Sequence, residues 1–297
     1  MWEKIQQSLR STCPGGSAVL LGALLLAGTL AAAFDWPEQD VRPEAFAAPF
    51  AGMRGGLMSP SLVFSAPALV TAAGKGAIVA VIRAPDSDSP RFYSALGNAV
   101  VVNHSDGFIS TYGNLATISV YPDTVYVDPL MPLGFSGASG WSEGGSGLEF
   151  QTADIRQRTA INPRTLLPRF QAELPLELPP VLAVNKQEES FPLQSTRRLA
   201  AGQYRFYLSG QAGNPYITTL TVNGVHVETI VSDTLNVRNN TLAIRGNRYY
   251  GASEFYPSEG RRLLAEVNLS RGRNTVNVVI RDINNREKQV TFSLDVY

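Results

Sequence analysis

Cysteine and histidine are almost missing from this 297-residue chain: there is one cysteine, Cys13, and there are two histidines, His104 and His226. A lone cysteine forms no disulfide within the chain and makes no cysteine metal site, so stability must come from packed cores. Charge is equally sparse. Charged residues make up 17% of the chain, with 25 Lys+Arg against 25 Asp+Glu, so no basic field exists to attract nucleic acid. No stretch sustains a helical apolar period over three turns, which argues against a helical protein. What remains is an apolar content of 44% together with 26 glycines and 19 prolines, the balance of a folded β-rich protein and not of a disordered one.

The first thirty residues follow their own logic. Lys4 and Arg10 precede an uncharged run from Ser17 to Phe34, and the run ends in Leu30-Ala31-Ala32-Ala33. A basic start, an apolar stretch and a small-x-small end read as a secretory signal peptide over 1–33, with Phe34 as the first mature residue and a periplasmic or extracellular destination. The alternative is an uncleaved inner-membrane anchor, since the run is slightly short of a span; membrane contact is expected only in that case. Cys13 lies ahead of the apolar run, so it is not a lipoprotein acceptor.

Residues 34–58, rich in Ala, Pro and Gly, read as an extended lead-in. From Leu62 to about Leu167, short apolar strands alternate with Gly, Pro, Asn and Asp signals; strands are predicted at 77–82, 99–103, 108–112 and 148–152. Pro168, Pro175, Pro179, Pro180 and Pro192 punctuate 168–193, which reads as a semi-rigid linker with at most a short edge strand at 181–184. A second alternating pattern fills 194–297. There, Asn223-Gly224 marks a two-residue hairpin turn after Thr219-Leu220-Thr221-Val222. About seven short strands in that length predict an immunoglobulin-like β-sandwich, although the segment has neither cysteine nor tryptophan for an antibody-type core. The overall expectation is an all-β chain of two domains, 59–167 and 194–297.

The first of these carries an ordered set of motifs. Ser59-Pro60-Ser61-Leu62-Val63 leads to Ala66-Pro67 and to a glycine-rich stretch through Gly74 and Gly76. Gly97-Asn98 opens an apolar strand ending in Asn103-His104, followed by Tyr112-Gly113-Asn114-Leu115. Leu133-Gly134 begins a glycine-spaced turn through Gly137 and Gly140, and Gly147-Leu148-Glu149-Phe150 precedes Ile161-Asn162-Pro163. In order and spacing this series resembles the LytM/lysostaphin-type zinc endopeptidases of cell-wall peptides, whose fold is a β-sheet or barrel built on a duplicated hybrid motif. The resemblance implies that the family's metal-binding His and Asp stand here as Ser59 and Val63. It places Asn114 where the catalytic histidine would be, and Gly147 and Glu149 where the last two histidines would be.

Catalytic zinc takes three protein ligands and keeps a water. Of the matching positions only Glu149 could ligate, so neither metal nor cofactor is expected and hydrolysis is not. The two histidines read as structural: His104 as a strand-end residue bonded to turn backbone, although a replacement ligand is the alternative, and His226 as a solvated rim residue. Glu149 could act as a general acid or base only with a second carboxylate at a defined separation; Asp106 and Glu143 are the candidates, both in loops. The Gly/Ser run 139–146 lacks a P-loop ending and reads as a groove-edge loop.

The sequence therefore predicts an exported, catalytically inert relative that binds peptidoglycan or docks on a cell-wall hydrolase or envelope assembly, with Tyr112, Asn114 and Glu149 holding an extended peptide. An active metallopeptidase with unconventional ligands and a purely structural envelope scaffold are the competing expectations.

Overall fold

Alternation along the chain becomes strand almost everywhere in the computed structural model, which describes residues 34–84, 94–105, 107–141, 145–210 and 215–297. The chain is all-β, and the α-helix found among the described residues is one turn, Ala252–Phe255. The expected signal segment, Asp106 and Glu143 lie outside the described residues. Among those described, no helix is long and apolar enough to cross a membrane.

Phe108–Ile118 is the axis of the first half. It pairs antiparallel with Asn98–Ser105 on one side and with Glu149–Asp154 on the other, and its far end also takes Pro132–Ser136. Ser61–Phe64 adds beyond Glu149–Gln151. Side chains alternate across this ladder. Leu62, Phe64, Val100, Val102, Tyr112, Leu115, Leu133 and Phe150 point into one core, and the opposite face carries Ser61, Val63, Thr111, Glu149 and Gln151.

The second half is a β-sandwich. One sheet runs in the order Ser190–Pro192, Val181–Asn185, Gly202–Ser209, Arg261–Leu269. The other runs Arg198–Leu199, Glu287–Val296, Gly272–Arg281, Ile217–Val222, Val225–Val231. Residues of both sheets, among them Val181, Phe206, Leu220, Leu264, Val278 and Leu294, share one buried cluster. The turn between Ile217–Val222 and Val225–Val231 has positive φ at both central residues, 53° at Asn223 and 77° at Gly224, the geometry that matches the twist of a two-residue hairpin.

Three details depart from the sequence expectation. The stretch expected to be a linker contributes Val181–Asn185 as an inner strand, bonded to Ser190–Pro192 on one side and to Gly202–Ser209 on the other. Prolines do not prevent this because the five strand residues Val181–Asn185 keep all their N–H groups, and Pro192 itself sits on an edge. The two halves also share a sheet: Thr159–Ile161 pairs with Thr234–Asn236, so the hairpin Thr234–Arg238/Thr241–Arg245 extends the first sheet. Asn162 closes the junction by donating to the carbonyls of Ser232 (Nδ2, 2.7 Å) and Asp233 (backbone N, 2.7 Å).

Finally, the lead-in is folded back onto the protein. Trp36 stacks on Phe170 at 4.9 Å, and Phe34 lies 4.5 Å from the His104 ring and 5.4 Å from that of Phe108. Aromatic rings of this size bury too much apolar surface to remain in water when a sheet face is within reach.

Candidate functional site

Period-2 geometry decides which of the expected site residues can meet. Glu149 lies opposite Val63 on one neighbour strand and Gly113 on the other, and Gln151 lies opposite Ser61 and Thr111. Ser61, Val63, Glu149 and Gln151 therefore share the face away from the core. The Ser61 hydroxyl donates to Glu149 Oε1 at 2.7 Å, and Gln151 Nε2 donates to Ser61 Oγ at 2.9 Å and to Glu149 Oε1 at 3.2 Å. The second carboxylate oxygen faces Arg54: Nη1 lies 3.0 Å from Glu149 Oε2, and the side chains of the pair are only 13% and 8% exposed. Arg54 Nη2 also donates to the Trp141 carbonyl, and its guanidinium carbon stands 5.6 Å from the centroid of the Trp141 ring.

Arg54 comes from the lead-in. The short hairpin Met53–Arg54/Leu57–Met58 turns through Gly55 and Gly56, whose φ values are +55° and +78°. Gly55 is required twice over, because a Cβ there would stand 2.3 Å from Trp141 Cη2. Below the tip, Phe50, Ala51 and Met58 are buried in a core with Ile230, Tyr250 and Phe255, and the Tyr256 hydroxyl donates to the Ala51 carbonyl at 2.9 Å. Ser59 belongs to this base: its backbone N–H donates to Gly52, its carbonyl accepts from Ala51, and its hydroxyl accepts from the Ser61 N–H at 3.3 Å.

Asn114 and Gly147 sit together but form a structural clamp. Asn114 is buried with φ +63°; its Nδ2 donates to the carbonyls of Gly137 at 2.5 Å and Gly147 at 2.8 Å, and its Oδ1 accepts from the Gly140 N–H at 2.8 Å. The side chain thus ties the loop after Pro132–Ser136 to the bend ahead of Glu149–Asp154 and offers nothing to a ligand. Gly147 has φ +141°, and a Cβ there would approach the Phe64 carbonyl oxygen to 2.3 Å.

Tyr112 and His104 lie on the core side, which corrects the expectation that Tyr112 lines a groove. Tyr112 is fully buried, 5.2 Å from Phe150 between ring centroids; its Oη accepts from the Ala73 N–H at 2.7 Å and from Ser110 Oγ at 3.1 Å. Burial pushes its hydroxyl up to about 12, against the smaller opposite effect of those bonds. His104 Nδ1 donates to the Lys75 carbonyl at 2.8 Å, and its Nε2 lies 2.7 Å from Ser110 Oγ. Burial lowers the imidazole below its ordinary value, against the Lys75 bond that favours its charged form. His226 is exposed, with Nε2 2.9 Å from Thr229 Oγ1.

Zinc does not fit this donor set. The one carboxylate at the matching positions is already held by Arg54, Ser61 and Gln151; Val63 has no donor atom, Ser59 bonds its own loop, and Gly147 has no room for a side chain. Among the described residues, no three His, Cys, Asp or Glu side chains converge as a metal would require.

Ser61 and Gln151 were readable from the strand period once Glu149 was singled out. Arg54 and Trp141 were not, since no local pattern joins residues 87 positions apart.

No curated protein matches the sequence. A protein-family model matches residues 175–297. Solved structures similar to this chain include a crystal structure of the SpoIIIAH and SpoIIQ complex, at 21% identity over 44% of this chain and 96% of that chain, with a TM-score of 0.35. The antimicrobial peptidase lysostaphin from Staphylococcus simulans is similar at 15% identity over 82% of this chain and 85% of that one, TM-score 0.33. A mutant catalytic domain of the prophage-encoded M23 protein EnpA from Enterococcus faecalis is similar at 22% identity over 37% and 80%, TM-score 0.30. These likenesses are too distant to transfer a site residue by residue.

Proposed function

We propose that this is an exported envelope protein with a LytM-like domain that has no peptidase activity, and that it works by binding peptidoglycan or by docking on a cell-wall hydrolase or periplasmic assembly. The observation that carries this reading is the Arg54–Glu149 pair. At the place where the motif series predicts a metal ligand, the chain has invested a cation of its own. With one oxygen paired to Arg54 and the other hydrogen-bonded by Ser61 and Gln151, this carboxylate has no oxygen left open to a metal. The recognition surface in this reading is the Glu149 face with its covering hairpin, since Tyr112 and Asn114 are buried.

The C-terminal sandwich supports an immunoglobulin-like module. Its first, second and fifth long strands form one sheet and the third, fourth, sixth and seventh the other, and Arg198–Leu199 runs parallel to the last strand. Such a module presents its own surface for assembly.

Two measurements on the full chain test the proposal. Purified protein is expected to contain far less than one zinc per chain and to leave muropeptides uncut, while sedimenting with isolated cell-wall sacculi or with a co-expressed hydrolase. One tightly bound zinc per chain, with muropeptide cleavage lost on chelation, would establish an active peptidase with unconventional ligands instead. Absence of binding to both sacculi and hydrolases would leave the scaffold reading.

A further inference from the structure

Glu149 is held as a receptor holds a ligand. Ser61 and Gln151 fix one oxygen of its carboxylate and leave the other to a cation. On the far side of that cation stand the Trp141 carbonyl, which accepts from it, and the Trp141 ring 5.6 Å away. A carboxylate, a carbonyl acceptor and an aromatic face together satisfy a guanidinium or an ammonium. Arg54 fills this place from a tip that little else secures. Met53 is 42% exposed and Leu57 59%, the flanking strands are two residues each, and the turn between them is Gly55-Gly56. The loop's base is anchored by buried Ala51 and Met58 and by the backbone bonds of Gly52 to Pro49 and Ser59, so the five residues Met53–Leu57 can lift without disturbing the core.

We propose that the Glu149 face is a binding site for the basic side chain of a peptide, and that Arg54 is an internal occupant which such a side chain displaces. The ligand chemistry is a primary ammonium or a guanidinium at the end of a flexible stem, in a peptide laid along the strand face next to Trp141. The inference rests on reading this face as peptide-binding and names what that peptide must carry. Its energetic basis is the desolvation of the pair. Removing one partner of a largely buried ion pair leaves a charge without compensation, so a vacated Glu149 recruits a cation from solution.

The test uses the full chain and three blocked tripeptides, acetylated and amidated, with Lys, Arg or Gln at the centre. Binding is read by calorimetry and by the NMR signal of the Trp141 indole N–H. In Arg54→Ala the Lys or Arg peptide is expected to bind at least ten-fold more tightly than in the unmodified chain, and the Gln peptide not at all. Adding Glu149→Gln to Arg54→Ala should remove that binding. The preference between the Lys and Arg peptides distinguishes an ammonium source from a guanidinium source. A folded Arg54→Ala chain that gains no affinity, or a gain that survives Glu149→Gln, overturns the proposal.

Arg54→Gln, which keeps most of the stem, is the second variant should the alanine form not fold. In the unmodified chain the Arg54 Nε–H signal should shift saturably with the Lys or Arg peptide but not with the Gln peptide, and its failure to do so also overturns the proposal. Sacculus or hydrolase binding that persists in Glu149→Gln would sink this inference alone. Tripeptide binding without either would sink the proposed binding function in favour of the scaffold reading and leave the cation site standing.

Discussion

Asn114 Nδ2 donates to the Gly147 carbonyl at 2.8 Å, joining the middle of strand Phe108–Ile118 to the bend just ahead of strand Glu149–Asp154. The same amide group reaches Gly137, and the backbone at Asn114 is left-handed, a conformation that asparagine tolerates better than other side chains. Asn114→Ala therefore takes the side-chain partner from the buried Gly147 carbonyl and from the Gly140 N–H, leaves the Gly137 carbonyl only the Gly147 N–H, and adds backbone strain. The expected loss is about 2–4 kcal/mol in denaturant unfolding. Asn114→Gly should lose less, because glycine relieves the strain while still forfeiting the bonds. Equal stability of the alanine form and the unmodified chain would show that the clamp contributes nothing.

Glu38 makes stability depend on pH. It is buried beside Ser136, and burial pushes its carboxyl up from 4.5 to about 7, against the smaller effect of the bond that Ser136 Oγ donates to it at 3.3 Å. Between those values the folded chain keeps a proton that the unfolded chain has released. Its contribution is thus complete below about pH 4.5 and is lost as pH rises through 7. Unfolding midpoints at pH 5 and pH 8 should fall more for the unmodified chain than for Glu38→Gln. Identical falls in the two proteins would dismiss the effect.

The placement of Val181–Asn185 makes the cut between the halves position-sensitive. Val181, Ala183 and Leu193 are fully buried in the sandwich core. A chain of residues 194–297 lacks all three and exposes an inner edge of Gly202–Ser209, so it is expected to unfold without cooperativity. A chain beginning at 175, which keeps the strand, should show dispersed amide signals and a cooperative transition. Cooperative folding of 194–297 would mean that the inner strand is dispensable.

Strand content was legible because its signal is local. Alternating Val100 and Val102, the Asn223-Gly224 turn and the glycine punctuation each act within a few residues, and the hydrophobic period of 2 is a property of neighbours. The resemblance motifs also singled out Glu149 and the positions around it. From there the strand period was enough to place Ser61 and Gln151 on its face, but not to foresee that Tyr112 turns inward with Phe150, since that depends on the register between strands.

The remaining decisions were tertiary. Val181–Asn185 looked like an edge because prolines bracket it; it is an inner strand because Gly202–Ser209 and Ser190–Pro192 both offered it hydrogen bonds. The lead-in looked extended because Ala, Pro and Gly carry no period. It folds back because its scattered aromatic side chains find partners such as Phe170, 134 residues beyond Trp36. Arg54 was one basic residue in an unpatterned stretch until the chain brought it to Glu149, 95 positions away. Sequence alone determined which segments could be strands and which family motifs they carry. Which cation meets which carboxylate depends on long-range closure, and no local pattern encodes that.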